Sequence, residues 1–268
     1  MRLLSIFFLF GISSLIHAQF RCANISFFLP TENPSLIVSP LDYNKISTYA
    51  GTGRTVGIQG QINLNSIYSA IGISSNYLTE NSFTSGIQFA THSFLTKNIW
   101  HTGAGVQLEW LHNEANLNPR IKNEMAWSLG CHVMSNPAGR FLLGINYKNK
   151  DLIILPFERN VVIMNQILSC QMGSAFAINR KLNVSVLTLF KRAKIQEEIQ
   201  NCYQITGNVN LTNWTIGLGW KNWGVGKGML TRFGVYYRNW LLAYVTTNSN
   251  FTFTNESFIH EISISKKF

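Results

Sequence analysis

Apolar and polar residues alternate with a period of two along most of the chain from about residue 45 onward. The clearest run is 103–111, in which Ala104, Val106, Leu108 and Trp110 alternate with glycine, glutamine and glutamate. Successive side chains of a β-strand point to opposite faces, so this run predicts a strand with one apolar and one polar face. The same alternation is present in 67–74, 87–92, 127–133, 143–147, 203–209, 214–221 and 257–268.

Polar and glycine-rich segments separate these runs and are typical of turns. They lie at 76–81, 113–123, 136–140, 148–151, 179–181 and 222–228. Their spacing of about 8 to 15 residues, without a helical period between them, predicts about 12–14 antiparallel strands. One stretch, 191–201, is compatible with a helix and equally with a polar strand end followed by a loop.

The final stretch, 257–268, has the pattern of a strand that closes an outer-membrane β-barrel. Ile262 and Ile264 share a face with the last residue, Phe268, whereas Ser263 and Ser265 lie on the opposite face. Such a strand needs one face for lipid and one for the lumen. An edge strand of a soluble secreted sheet, such as a β-sandwich, shows the same alternation and is the simplest alternative.

The first eighteen residues resemble a secretory signal peptide. A basic start at Arg2 precedes an apolar run from Leu3 to Leu15, and Ala18 precedes a polar segment. The apolar run is too short for a transmembrane helix. Residues 19–43 contain Pro30, Pro34 and Pro40, which disfavour a central strand. We therefore expect a signal peptide at 1–18, a plug or periplasmic arm at 19–43 and a β-barrel at 44–268.

The composition favours a membrane barrel over a soluble domain. Hydrophobic residues make up 46% of the chain and charged residues only 13%, against about 25% charged in soluble proteins. No later stretch reaches about 18 consecutive apolar residues, so no transmembrane helix is expected. Trp214 and Trp220 stand on one apolar face, as aromatic girdle residues do. These features predict an exported, all-β, antiparallel transmembrane barrel of the cell outer membrane.

The chain carries an excess of basic residues that are scattered rather than clustered. The net charge is +10, and removal of residues 1–18 removes only Arg2, which leaves +9. Because the basic residues occur singly or in pairs, a nucleic-acid-binding patch is not expected. A basic lumen, acidic lipid headgroups or an acidic partner would use this charge.

Four cysteines, Cys22, Cys131, Cys170 and Cys202, are spaced too widely for a metal cluster. In an exported protein they can form disulfides, with three possible pairings. They can equally be small apolar residues on strands. The sequence leaves these alternatives open.

Catalytic chemistry is not expected. After residue 18 the candidate histidines are His92, His101, His112, His132 and His260, and the only aspartates are Asp42 and Asp151. A GxSxG motif is absent, no pair of histidines has metal-binding spacing, and the glycine-rich 224–228 segment lacks the context of a phosphate loop. We therefore expect no enzyme activity, no cofactor and no metal, and the sequence does not identify binding residues.

Several short motifs, taken in order, resemble the PorP/SprF family of type IX secretion outer-membrane proteins of Bacteroidetes. The closing strand, with its His260-Glu261 pair, is the most particular of them. The motifs are residues 33–40, 71–76, 89–94, 103–105, 140–146, 214–220, 233–237 and 257–262. The resemblance spans nearly the whole chain after residue 18.

This resemblance implies a non-enzymatic barrel that assists type IX secretion or surface attachment of a secreted protein, such as a gliding-motility adhesin. Its expected partners are outer-membrane lipid, the secreted cargo or adhesin domain, and type IX secretion components. The polar segments 113–123 and 246–256 are candidate docking loops. The alternative function is a passive porin or small-solute channel.

Overall fold

The computed structural model describes residues 33–37, 44–51, 56–64, 68–79, 82–95, 100–113, 123–135, 141–154, 161–178, 182–195, 198–222, 227–249 and 258–267. These residues contain fourteen β-strands and a short 3-10 helix, Pro34–Ile37. The strands are β1 Lys45–Gly51, β2 Val56–Leu64, β3 Ser69–Thr79, β4 Ser82–Leu95, β5 Trp100–Asn113, β6 Asn123–Ser135, β7 Phe141–Ile154, β8 Val161–Ala177, β9 Asn183–Ile195, β10 Glu198–Asn210, β11 Trp214–Asn222, β12 Lys227–Tyr237, β13 Trp240–Ser249 and β14 Phe258–Lys267.

The strands form one closed antiparallel barrel in which each strand pairs with its neighbours in sequence. Closure is completed by β1 and β14, whose register places Lys45 opposite Lys267 and Gly51 opposite Glu261. Closure satisfies the backbone donors and acceptors of what would otherwise be two sheet edges, as a lipid environment requires. The predicted antiparallel barrel of about 12–14 strands is confirmed.

The two faces of the barrel differ in polarity as the alternation predicts. On β5, the outward Leu108 is 48% exposed, whereas its inward neighbours Gln107 and Glu109 are 1% and 4% exposed. Ile264 is likewise exposed between the buried Ser263 and Ser265. An apolar outer surface around a polar interior is the arrangement expected of a barrel in a bilayer.

The two ends of the barrel differ in the length of the segments that connect the strands. At one end lie the start of β1, the end of β14 and short connections such as 211–213 and 238–239. The opposite end carries the longest connections, 114–122 and 250–257. Short turns at one end and longer loops at the other end are typical of outer-membrane barrels.

One predicted turn is wrong. Residues 148–151 lie within β7, and the side chain of Lys148 forms ion pairs with Asp151 and with Glu109. Their polarity therefore marks inward strand positions and not a turn. The predicted turn at 76–81 is shorter than expected, since β3 continues to Thr79.

The stretch 191–201, left open by the sequence, contains the end of β9 and the start of β10. The described residues include no helix long and apolar enough to cross a membrane.

Candidate functional site

A short stretch of chain that precedes β1 lies inside the barrel. We call residues 33–37 the inserted segment. Asn33 and Ser35 have no exposed surface, and Leu36 packs against an inward-facing apolar cluster that includes Met134 and Leu142. The segment contacts β3, β4, β5 and β6, and it therefore occupies part of the lumen in the half nearer the start of β1.

Asn33 is bound by polar contacts to the barrel wall. Its Nδ2 donates to the backbone carbonyls of Cys131, at 3.3 Å, and Ile145, at 3.4 Å, and to Oε1 of Gln171, at 3.4 Å. Its Oδ1 accepts from the backbone N–H of Ser35 at 3.1 Å and from the Ser35 hydroxyl at 2.7 Å. One amide thus connects β6, β7 and β8 to the inserted segment, and its orientation is fixed by these donors and acceptors.

Glycines on the inner faces of β5, β6 and β7 make room for the inserted segment. A Cβ atom at Gly105 would lie 2.6 Å from the backbone N of Ser35. At Gly130 it would overlap Oδ1 of Asn33, and at Gly144 it would lie 2.9 Å from Nδ2 of the same residue. Because real Cβ atoms do not approach so closely, only glycine at these positions allows the segment its present position.

Three histidines lie in a row beside the inserted segment, on neighbouring strands. We call His92, His101 and His132 the histidine row. The ring centroids of His92 and His101 are 4.6 Å apart and those of His101 and His132 are 5.2 Å apart. Nε2 of His132 is 3.2 Å from Nδ1 of His101, and Nδ1 of His132 is 2.9 Å from the Ser35 hydroxyl oxygen.

The described residues contain no group of three or more His, Cys, Asp or Glu side chains arranged to hold a metal ion. The histidine row is therefore a hydrogen-bonded and stacked arrangement. The structure thus brings together three of the five candidate histidines. His112 lies elsewhere, stacked on Phe83 and bonded to Asn123, and His260 lies against Tyr244.

A buried ion cluster occupies the half of the lumen nearer the long connections. Lys148 pairs with both Glu109 and Asp151, and the side chains of Lys148 and Glu109 are almost completely buried. Nε2 of Gln107 donates to Glu109 at 2.6 Å, and Ser128 donates to Oε1 of Gln107 at 3.4 Å. One lysine between two carboxylates, with further hydrogen bonds, meets the condition under which buried charges are tolerated.

The wall opposite the inserted segment is also polar. Its buried side chains include Thr206, Asn208, Asn210 and Thr215, and Thr215 donates to Oδ1 of Asn210 at 2.8 Å. Two further buried cations, Lys191 and Arg232, face inward on β9 and β12. The polar lining therefore continues around the barrel.

Asp151, one of the two aspartates considered for catalysis, belongs to the ion cluster, and Asp42 lies outside the described residues. Among the described cysteines, Cys131 and Cys170 are free thiols and Cys202 is buried on β10, whereas Cys22 lies outside the described residues. Most of the two candidate docking segments, 113–123 and 246–256, also lies outside them. The strand ends that flank these two segments lie at the same end of the barrel.

Sequence patterns do not identify Asn33, Ser35, Glu109 or Lys148 as site residues. One signal was available for the inserted segment: a polar Asn-Pro-Ser stretch precedes the strands, and paired glycines stand at alternate polar-face positions such as 103 and 105. A strand glycine often marks the close approach of another backbone.

No protein-family model matches the sequence, and no curated protein is similar to it. Solved structures with the same fold exist. The outer membrane protein Omp33 of Acinetobacter baumannii superposes with a TM-score of 0.55 at 10% identity, covering 84% of this chain and 97% of that one. A FadL homologue of Pseudomonas aeruginosa gives 0.54 at 9% identity, covering 88% and 92%. The TodX monoaromatic hydrocarbon channel gives 0.50 at 11% identity, covering 88% and 93%. These similarities establish an outer-membrane β-barrel fold.

Proposed function

We propose that the protein is a non-enzymatic outer-membrane channel for small polar solutes, exported by residues 1–18 and closed in the state described here. The observation that carries the proposal is the polar lining that continues around the lumen, from Gln88 and Gln107 to Asn208 and Ser263. Polar interior side chains inside a lipid-facing barrel are typical of a solvated pathway.

The contacts that hold the inserted segment support a channel that the segment can close and open. They do not favour a barrel whose lumen is always filled. Asn33 and Ser35 are bound chiefly by hydrogen bonds, which water can replace at little net cost when the segment moves. If the segment were held by apolar packing alone, water could not replace the lost contacts in this way. TodX, with the same fold, is described as a monoaromatic hydrocarbon channel, whereas the polar lumen of this chain favours polar solutes.

Conductance in planar lipid bilayers tests this proposal. The purified protein should conduct weakly, and the Asn33→Asp variant should conduct several-fold more, since a carboxylate cannot donate to the oxygens that Nδ2 of Asn33 now contacts. Uptake of sugars of increasing size by proteoliposomes would then give the size limit of the pathway. If neither protein conducts ions or admits any sugar, the channel function is wrong.

We propose, as a second candidate, an accessory barrel of type IX secretion of the PorP/SprF kind. It is supported by the sequence resemblance and by the position of the candidate docking segments 113–123 and 246–256 at one end of the barrel. A pull-down of the tagged protein from solubilised outer membranes, followed by mass spectrometry, tests it. Co-purification of a large secreted adhesin or secretion components supports this function. An unchanged surface and secreted proteome after gene deletion would exclude it.

A further inference from the structure

We propose that the inserted segment is an acid-released latch, held against the barrel wall by the histidine row and freed when that row takes up protons. The proposal concerns the position of the segment, so it does not depend on the chain being a channel. It rests on the tautomers that the hydrogen bonds of Ser35, His132 and His101 impose.

The hydrogen bonds fix which ring nitrogens carry protons. The single hydroxyl proton of Ser35 is donated to Oδ1 of Asn33, so the Ser35 oxygen must accept from Nδ1–H of His132. In the neutral ring, Nε2 of His132 is then an acceptor, and it receives its hydrogen bond from Nδ1–H of His101. The hydrogen bonds as described are therefore compatible with a proton added to one of His101 and His132, but not with a proton added to both.

One additional proton can be accommodated without breaking this chain of hydrogen bonds. If Nε2 of His132 is protonated, His101 can change tautomer so that its Nδ1 accepts. A second proton leaves two N–H groups facing each other across the 3.2 Å between Nε2 of His132 and Nδ1 of His101. Two donors at this distance, each on a positively charged ring, repel each other.

The described residues that contact the row include Tyr68, whose ring centroid lies 5.4 Å from that of His92, and no Asp or Glu. His92 on β4 and His101 on β5 are the groups that interact electrostatically with His132, and their charge adds to the repulsion. The inserted segment contributes only Asn33 and Ser35, and β7 and β8 contribute the uncharged residues Leu142, Gly144, Gln171 and Gly173.

The remaining buried charged side chains described in the structure are Glu109, Lys148, Lys191 and Arg232. Glu109 stands eight residues beyond His101 on β5, about 26 Å along the strand at its usual rise, and it is paired with Lys148.

Movement of His132 is the expected way to relieve the repulsion, because its ring lies over Gly103, where a Cβ would be 2.8 Å from Nδ1. When the ring rotates away from His101, its hydrogen bond to Ser35 is lost. The segment then keeps the contacts of Asn33 and the packing of Leu36 but loses its contact with the histidine row. Acidification therefore shifts the equilibrium toward detachment of the segment from the barrel wall.

Electron paramagnetic resonance of a nitroxide at position 36 tests the latch directly. The label is attached to Leu36→Cys in the full-length protein in lipid vesicles, with the four native cysteines replaced by alanine. Spectra are compared at about pH 7.5 and about pH 3, which lies well below the ordinary titration range of histidine because two protons have to enter a buried row. We expect an immobilised label at the higher pH and about a tenfold rise in the ratio of mobile to immobilised label at the lower pH.

Two sets of variants distinguish the histidine row from other effects of acid. In the triple variant His92→Gln, His101→Gln, His132→Gln and in the single variant His132→Gln, the amide introduced at position 132 can still donate to the Ser35 hydroxyl but cannot be protonated. The repulsion between positions 101 and 132 is therefore removed, and the label should remain immobilised at low pH in both variants. The matched control, His112→Gln with His260→Gln, should respond as the parent does. Barrel folding of each variant is checked by its heat-dependent migration in detergent gels.

An unchanged spectrum of the parent protein between the two pH values overturns the latch. A low-pH increase in mobility that persists in His132→Gln and in the triple variant overturns the role of the histidine row. Either result leaves the conductance test of the channel function unaffected, since that test is made at neutral pH with an asparagine variant.

Discussion

The side chain of Asn33 occupies the space that a side chain at Gly130 would need. Its Oδ1 lies over the inner face of β6 at that glycine, while its Nδ2 reaches the carbonyl of the next residue, Cys131. Asn33, which precedes β1, therefore fits sterically against one glycine of β6, Gly130. This pair explains why a barrel strand carries glycine at an inward position where a small polar side chain would otherwise fit.

The substitution Gly130→Ala should displace the inserted segment. The added methyl group overlaps Asn33, and relief of such overpacking costs typically about 1–3 kcal/mol. We expect a lower free energy of unfolding in urea and a more mobile label at position 36 at neutral pH. Gly207→Ala is the matched control, because a Cβ there meets only the carbonyl oxygen of Leu218 at 3.9 Å. Equal stability of the two variants would contradict the match between Asn33 and Gly130.

Asn33→Asp tests the amide itself without a change in volume. The carboxylate would face the carbonyl oxygens of Cys131 and Ile145, to which Nδ2 now donates. A lost donor in a buried site costs about 1–3 kcal/mol, and more when the new group is charged. The same substitution at the exposed Asn213 should be neutral in urea unfolding. If Asn33→Asp is equally neutral, these hydrogen bonds do not hold the segment.

Because of the ion cluster, we expect substitution of two lysines of β7, Lys148 and Lys150, to lower the free energy of unfolding by very different amounts. Lys148→Met removes the cation that, in the described part of the chain, pairs with both Glu109 and Asp151, and removal of one partner of a buried ion pair costs about 3–5 kcal/mol. Lys150 pairs with Glu124 in a more exposed position, so Lys150→Met should cost less than about 1 kcal/mol.

Urea unfolding in lipid vesicles measures both lysine variants. Adding Glu109→Gln to Lys148→Met should recover part of the loss, because one of the unpaired charges is then removed. The absence of any recovery would mean that Glu109 is not coupled to Lys148.

On the outer face of the barrel, the cost of an arginine substitution should depend on the depth of the residue in the membrane. Val106 is an outward residue near the middle of β5, and Tyr237 is an outward residue at the end of β12. Arginine at the middle of a bilayer-spanning strand costs about 2–4 kcal/mol, falling to about 0–1 kcal/mol near the interfaces. Val106→Arg should therefore destabilise the folded protein in vesicles much more than Tyr237→Arg. Similar losses for both would indicate that these strands do not cross a bilayer as described.

The barrel could be predicted from the sequence because outward apolar residues and inward polar residues alternate along most strands. The run from Gly103 to Leu111 has one apolar and one polar face in the structure as in the sequence. Less regular strands were harder: β8 includes Gln166, whose φ of 51° accompanies a shift of register against β9 between Asn165 and Leu168. A shift of this kind breaks the period of two on which the prediction depends.

The interior site could not be predicted from local patterns, because its members come from distant parts of the chain. Ser35 and His132 are separated by 97 positions, and Asn33 and Gln171 by 138. Their proximity depends on the closure of the barrel and on the position of the inserted segment. The polar run at Lys148 to Asp151 was interpreted as a turn for the same reason, since its partner Glu109 lies two strands away.

The short link between the inserted segment and the first strand limits how far a released segment can travel. From Ile37 to Asn44 the chain makes seven residue steps, which span at most about 25 Å when fully extended. A released segment therefore remains tethered at or within the barrel, at an effective concentration on the order of millimolar. Rebinding is consequently intramolecular: its rate is independent of protein concentration, and a free peptide with the same sequence would compete only at comparable concentrations.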